Sequence, residues 1–182
     1  MLATLRTPRL IMRPYSTDDI DPLHALWTSP GVRRYLWDDR IIERETAEQV
    51  VMASLTDMSV HGFGQWTLRL AEDGNQVMGF CGFRSCDDAI EPELLYGIAE
   101  PQWGKGLAYE ASRAALLYLV RTTRAVKVHA ATDEPNVQSA KVLERLGMKL
   151  IGKRPGPAWP NFHYELVDFE RLLPFDAYTI AD

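Results

Sequence analysis

The stretch Pro101-Gln102-Trp103-Gly104-Lys105-Gly106-Leu107-Ala108-Tyr109-Glu110-Ala111 carries the clearest chemistry in this sequence. It leaves a predicted strand and enters a predicted helix. Its two glycines permit backbone angles closed to other residues and remove side chains that would block a ligand's approach. The helix start beyond them presents N–H groups without partners and the positive end of a dipole. Together these make an anion cradle of pyrophosphate size. A nucleotide P-loop needs Gly-Lys followed by Ser or Thr, whereas Lys105 is followed by Gly106. A dinucleotide fingerprint needs a third glycine where Glu110 stands. Taken alone, the loop fits a glycine-bearing turn with no ligand as well as it fits a cradle.

Other reactive residue types form no such pattern. Cys81 and Cys86 lack a second pair or a histidine at zinc spacing, which predicts reduced thiols and no metal. Cys81 reads as core strand packing rather than an acyl acceptor, because no base or cation stands beside it in the sequence. His24, His61, His129 and His163 are dispersed; the last two fall on predicted strands and read as structural.

The elements that position the loop follow from periodicity. Thr7–Arg13 reads as a strand stopped by Pro14. Thr17-Asp18-Asp19 supplies a cap and acidic first turn for a helix with Ile20, Leu23 and Trp27 inside. A second helix starts at Thr46, where Thr46 and Gln49 fit a capping box. Strands are predicted over Gln65–Ala71 and Gln76–Arg84, joined by an Asp73-Gly74 hairpin signal, and over Glu93–Ala99. A long helix follows the glycine loop, then a strand over Ala125–Thr132. The next helix starts at Pro135-Asn136 and closes at Gly147 as a left-handed cap. Strands near Lys149–Lys153 and His163–Phe169 flank a Pro-rich loop, Pro155–Pro160. The order β α α β β β α β α β β predicts a three-layer α/β fold. Its mixed, mostly antiparallel sheet would contain a central parallel, right-handed crossover, with helices on both faces.

Composition narrows the class. A chain of 182 residues with no repeat or long linker reads as one domain over 1–182. A net charge of −5 argues against broad nucleic-acid binding, though a local basic patch is compatible with it. No apolar run approaches a membrane span. Met1 to Arg9 resembles neither a signal nor a transit peptide, which predicts a cytoplasmic protein.

Read together, several segments resemble the GNAT superfamily of acyl-CoA-dependent N-acyltransferases, and within it the RimJ/RimL-like branch. They are Thr7-Pro-Arg-Leu-Ile-Met-Arg-Pro, Glu93-Leu-Leu-Tyr-Gly-Ile, Trp103-Gly-Lys-Gly-Leu-Ala with Glu110-Ala111, Asn136-Val-Gln-Ser139 and Leu143-Glu-Arg-Leu-Gly147-Met. The resemblance spans nearly the whole chain. It implies transfer of an acetyl group from acetyl-CoA to a primary amine, with no metal. The acceptor would be a protein or peptide N-terminus or a small amine, and transfer would occur directly in a ternary complex.

The resemblance also implies roles for particular residues. The backbone from Gly104 through Lys105, Gly106 and Leu107 to Ala108 would grip the pyrophosphate, with Trp103 where the superfamily often has Arg or Gln. Asn136 matches the residue that contacts the pantetheine arm, although a plain helix N-cap explains it too. Glu93 corresponds to the branch's acidic strand residue and is the candidate base. Leu95 stands where the branch often has glycine. Ser139 is the candidate proton donor to the departing thiolate, since no tyrosine lies between Asn136 and Gly147. Backbone N–H groups of Tyr96, Gly97 and Ile98 would stabilise the oxyanion if their strand parts from its neighbour. The acceptor is expected between the first two helices and the Pro155–Asn161 loop, where Trp37, Phe63 and Trp159 could touch it. The C-terminal strands and exposed aromatics could form a homodimer contact. A non-catalytic acyl-CoA sensor or tethering module stays open as the rival; it would keep the loop without needing Glu93 or Ser139.

Overall fold

The computed structural model describes residues 3–72, 74–86, 89–169 and 179–181. The chain opens with β1 (Thr4–Arg6) and β2 (Leu10–Pro14), where one strand over Thr7–Arg13 is predicted. The difference lies in Thr7. Its N–H donates to the Leu10 carbonyl and its Oγ1 accepts from the Leu10 N–H, closing a turn around Pro8. A short 3₁₀ turn, Thr17–Asp19, leads into α1 (Ile20–Thr28). There the Asp19 carboxylate accepts from both N–H and Oγ–H of Ser16.

Next comes α2 (Pro30–Leu36), a helix absent from the prediction. Pro30 holds the first helical position, which suits its fixed φ and missing N–H. Seven residues containing a glycine give too little periodicity to read. Helix α3 (Arg44–His61) starts two residues before Thr46, with Glu43 at the N-cap and no side-chain cap bond. Tertiary contacts set that start instead of the Thr46/Gln49 box: Arg44 pairs with Asp21, and the Ile42 carbonyl lies 2.8 Å from His24 Nε2.

Strands β3 (Gln65–Leu70) and β4 (Gly79–Cys86) are joined by a longer connection than the predicted hairpin. Gly74 is left-handed there, and Asp73 lies outside the described residues. Then follow β5 (Ala89–Ile98), α4 (Leu107–Thr122), β6 (Val128–Asp133), α5 (Val137–Arg145), β7 (Lys149–Arg154), β8 (Asn161–Leu166) and β9 (Thr179–Ala181). Gly147 caps α5 in the left-handed region as predicted. Its N–H reaches the Glu144 carbonyl and that of Met148 the Leu143 carbonyl, a Schellman pair.

The strands form one sheet in the order β7-β8-β6-β5-β4-β3-β2-β1-β9. Every pairing is antiparallel except β5 with β6. Successive residues belong to different cores, as a pleated strand buried on both faces requires. Phe80 and Leu95 pack with α1, α2 and α3, whereas Cys81 and Leu94 pack with α4 and α5. The fold is therefore the expected three-layer α/β arrangement. Helix α4 is buried nearly all round from Ala111 to Leu119, which fixes the direction of its N-terminus. Among the described residues no helix is long and apolar enough to cross a membrane.

Candidate active site

The parallel strands β5 and β6 pair at Glu93–His129 and then part. Beyond that point β5 keeps β4 and β6 keeps β8. The gap is a cleft of about 920 Å³ running between α2, α5 and the glycine loop. Ladder alternation decides which amides face it. The Ala99 N–H donates to the Met78 carbonyl, which turns the amides of Gly97 and Leu95 towards β4 as well. Tyr96 and Ile98 therefore aim their N–H groups into the gap. Gly97 contributes by lacking a side chain, since a Cβ there would sit 2.4 Å from the Phe80 ring.

At one end lies the loop from Trp103 to Ala108. Gly104 and Gly106 have φ of 74° and 75°, and a Cβ on either would meet nothing closer than 3.8 Å. These positions demand glycine for conformation, and the space above them is open. Among the described residues, no N–H from Gly104 to Tyr109 donates to a protein acceptor. Five of those residues, all but Lys105, line the cleft, at and just before the N-terminus of a 16-residue helix. The loop is tied from behind. Arg9 donates to the Lys105 carbonyl (2.7 Å) and to Glu110 Oε2 (2.6 Å), and Thr7 Oγ–H donates to Glu110 Oε1 (2.6 Å). Trp103 donates its indole N–H to the Ile98 carbonyl, and Lys105 its ammonium to Gln102 Oε1.

Asn136 caps α5 by accepting the Ser139 N–H at Oδ1 (3.2 Å). That bond occupies the oxygen and leaves the amide NH₂ as a donor on the cleft wall. The Ser139 hydroxyl lies 2.9 Å from the Tyr96 phenol, which also donates to the Ser139 carbonyl. Burial, foremost, raises the Tyr96 pKa, so the phenol stays protonated. Sequence reading found no tyrosine on the helix; this one reaches Ser139 from β5, a contact 43 residues apart that no local pattern could reveal.

Glu93 lines the cleft where the strands begin to part, and Arg84 donates to its Oε2 (2.6 Å). Its side chain is 12% exposed. Asp133, a wall residue missed in the sequence, stands at the far end of β6. Burial, then Asp38, raises its pKa to about 6. Tyr35 of α2 and Trp159 of the β7–β8 loop meet at 5.7 Å, ring centre to ring centre. Of the other loop aromatics, Trp37 packs on Trp27, and Phe63 is core, stacked on His61 and edge-on to Phe83. That position leaves Phe63 unable to touch an acceptor, contrary to expectation, because it is 3% exposed. Cys81 is fully buried 3.7 Å from Ser112 Oγ, with its thiol pushed up to about 12 by burial. His129 faces Glu91 at 2.5 Å.

The pattern of the acetyltransferase (GNAT) domain matches residues 9–149. The chain belongs to the GNAT acetyltransferase family. Within it, this GNAT enzyme is of the RimJ/RimL type. It is 26% identical over 152 residues to p20 of Bacillus licheniformis, named an uncharacterized N-acetyltransferase, covering 83% of this chain and 85% of that one. An acetyltransferase from Agrobacterium tumefaciens str. C58 superposes with a TM-score of 0.78 at 25% identity, over 91% of this chain and 95% of the other. RimL, a ribosomal L7/L12 alpha-N-protein acetyltransferase solved with coenzyme A, gives 0.74 at 16% identity, over 88% and 95%. That last likeness is one of fold.

Proposed function

We propose that this GNAT N-acetyltransferase, acting as one domain over residues 1–182, moves the acetyl group of acetyl-CoA directly to a primary amine in a ternary complex. One observation carries the reading: five residues with unpaired amides, at and just before a helix N-terminus, line a gap between parting strands, with a carboxylate where the gap begins. The pyrophosphate would lie on the amides from Gly104 to Ala108. The pantetheine arm would run along the gap beside the Asn136 amide. The thioester would then come to rest by Tyr96 and Ile98, within reach of Glu93.

The chemistry follows from that placement. The acceptor enters as an ammonium ion and gives a proton to Glu93, directly or through water. Its freed lone pair attacks the thioester carbonyl, and the N–H groups of Tyr96 and Ile98 receive the developing oxyanion. Collapse breaks the C–S bond; the leaving thiolate takes the Ser139 hydroxyl proton, and the proton that the nitrogen sheds to become a neutral amide passes through water to restore that hydroxyl. Tyr96 holds the Ser139 hydroxyl in position from behind. The acceptor class, a protein N-terminus or a small amine, draws support from what RimL is named for and from the gap's open acceptor side.

Thiol release from acetyl-CoA, measured across a panel of amines and peptide N-termini, tests the reading. Turnover with at least one acceptor is expected. Coenzyme binding without turnover on any acceptor, and unaltered in Glu93→Gln, would instead favour a binding module.

A further inference from the structure

The acceptor end holds a second carboxylate that the transfer steps do not use. Asp133 closes β6 four residues beyond His129, which pairs with Glu93. Side chains alternate along a strand, so Asp133 shares the face that carries Glu93. At about 3.3 Å per residue it lies roughly 13 Å further along. The residue is 9% exposed yet forms part of the cleft wall. Asn161, its amide oriented by the hydrogen-bond network, donates to Asp133 Oδ1 (2.5 Å) and to the Trp159 carbonyl (3.2 Å).

Oδ2 has no partner among the described residues. No described Lys, Arg or His pairs with Asp133, and Asp38 adds a charge of the same sign. A buried carboxylate with an orphan oxygen costs stability. Retaining one in a binding cleft is the kind of local conflict that a ligand resolves.

Building on the amine-acetylation reading above, we infer that the acceptor carries a second cationic group, which Asp133 receives while the reacting amine sits at Glu93. The two carboxylates, both on the acceptor face, call for cations roughly 10 Å apart once the reach of the two side chains is subtracted. An extended diamine meets that requirement, and so does a peptide N-terminus followed by a basic side chain.

The test compares kcat/KM for octylamine, the same chain with a second terminal amine, and the same chain with a terminal carboxylate. A parallel arm compares peptides with lysine, alanine or glutamate in second position. The dicationic member of one arm should exceed its neutral counterpart about tenfold or more, and the arm that responds identifies the source. In Asp133→Asn that ratio should fall to within about twofold, whereas Asp133→Glu should keep most of it. Coenzyme A binding and the thermal midpoint of each variant establish that it is folded. A wild-type ratio near one in both arms overturns the inference while leaving acetyl transfer standing, as does a ratio unchanged in Asp133→Asn. Absence of any turnover by the wild type removes the transfer reading and this inference with it.

Discussion

The two ends of the cleft, proposed above to take the cofactor and the acceptor, are built from different materials. The first is backbone: consecutive amides held by two left-handed glycines and a helix start, all within about ten residues of chain. The second is side chain: Tyr35, Arg84, Glu93, Asp133 and Asn161, drawn from α2, β4, β5, β6 and β8. Backbone recognition suits a ligand part shared by every reaction, because only the glycines and the residues that tie the loop can alter it. Side-chain recognition can be retuned one residue at a time, which suits the part that varies. The difference also shows in satisfaction. The loop is tied from behind by Arg9, Thr7 and Glu110, while the acceptor end keeps an orphan carboxylate oxygen at Asp133.

Substitutions at the two ends should therefore fail differently. The largest effect is expected from Glu93→Gln, with kcat lowered about 10²-fold or more. The rate should recover as pH rises towards the acceptor's own pKa, where the free amine no longer needs a base. Stopped-flow thiol release over a pH series reads both features, and a pH-independent loss would remove Glu93 from the proton path.

Gly106→Val should act on the other end only. A β-branched residue held at φ near 75° is strained by about 1–3 kcal/mol, so acetyl-CoA should bind about tenfold to hundredfold more weakly by calorimetry. Unchanged affinity would mean the left-handed turn is not what presents the amides. A smaller effect follows from untying the loop. Arg9→Ala should raise KM for acetyl-CoA about threefold to tenfold. Glu110→Gln added to it should cost little more, because the two act as one tie. Additive losses in that double-mutant cycle would separate them.

The smallest effect is on stability and returns to the acceptor end. Folding raises the Asp133 pKa to about 6, so the folded state favours the protonated acid. That stabilisation is whole below about pH 4, the ordinary carboxyl range, and is lost as pH rises through about 6. Asp133→Asn should match the wild type near pH 4 and melt about 2–4 °C higher near pH 8. A midpoint difference independent of pH would place the cost elsewhere.

Much of the fold was legible because its signals are local. Periodicity located α1, α4 and α5, and Gly147 marked the end of α5. Errors arose where distant contacts outweighed local preference. Arg44 and Ile42 dock on α1 and start α3 early, and α2 exists because Val32 packs into the core beside Trp27. At the site, the same division holds. The loop and the Asn136 cap could be read along the chain, whereas the Tyr96–Ser139 contact and the Arg9–Glu110 tie span 43 and 101 residues.

By itself, then, the sequence determined a strand, a glycine turn and a helix in succession, and with them a run of amides without helical partners. That much follows from φ angles and hydrogen-bond geometry over neighbouring residues. Only the tertiary structure decided that β5 and β6 part after Glu93–His129, which two amides face the gap, and that Asp133 stands on the same face as Glu93. Register and splay are set by how whole strands pack between two helical layers. No short window of residues encodes that balance.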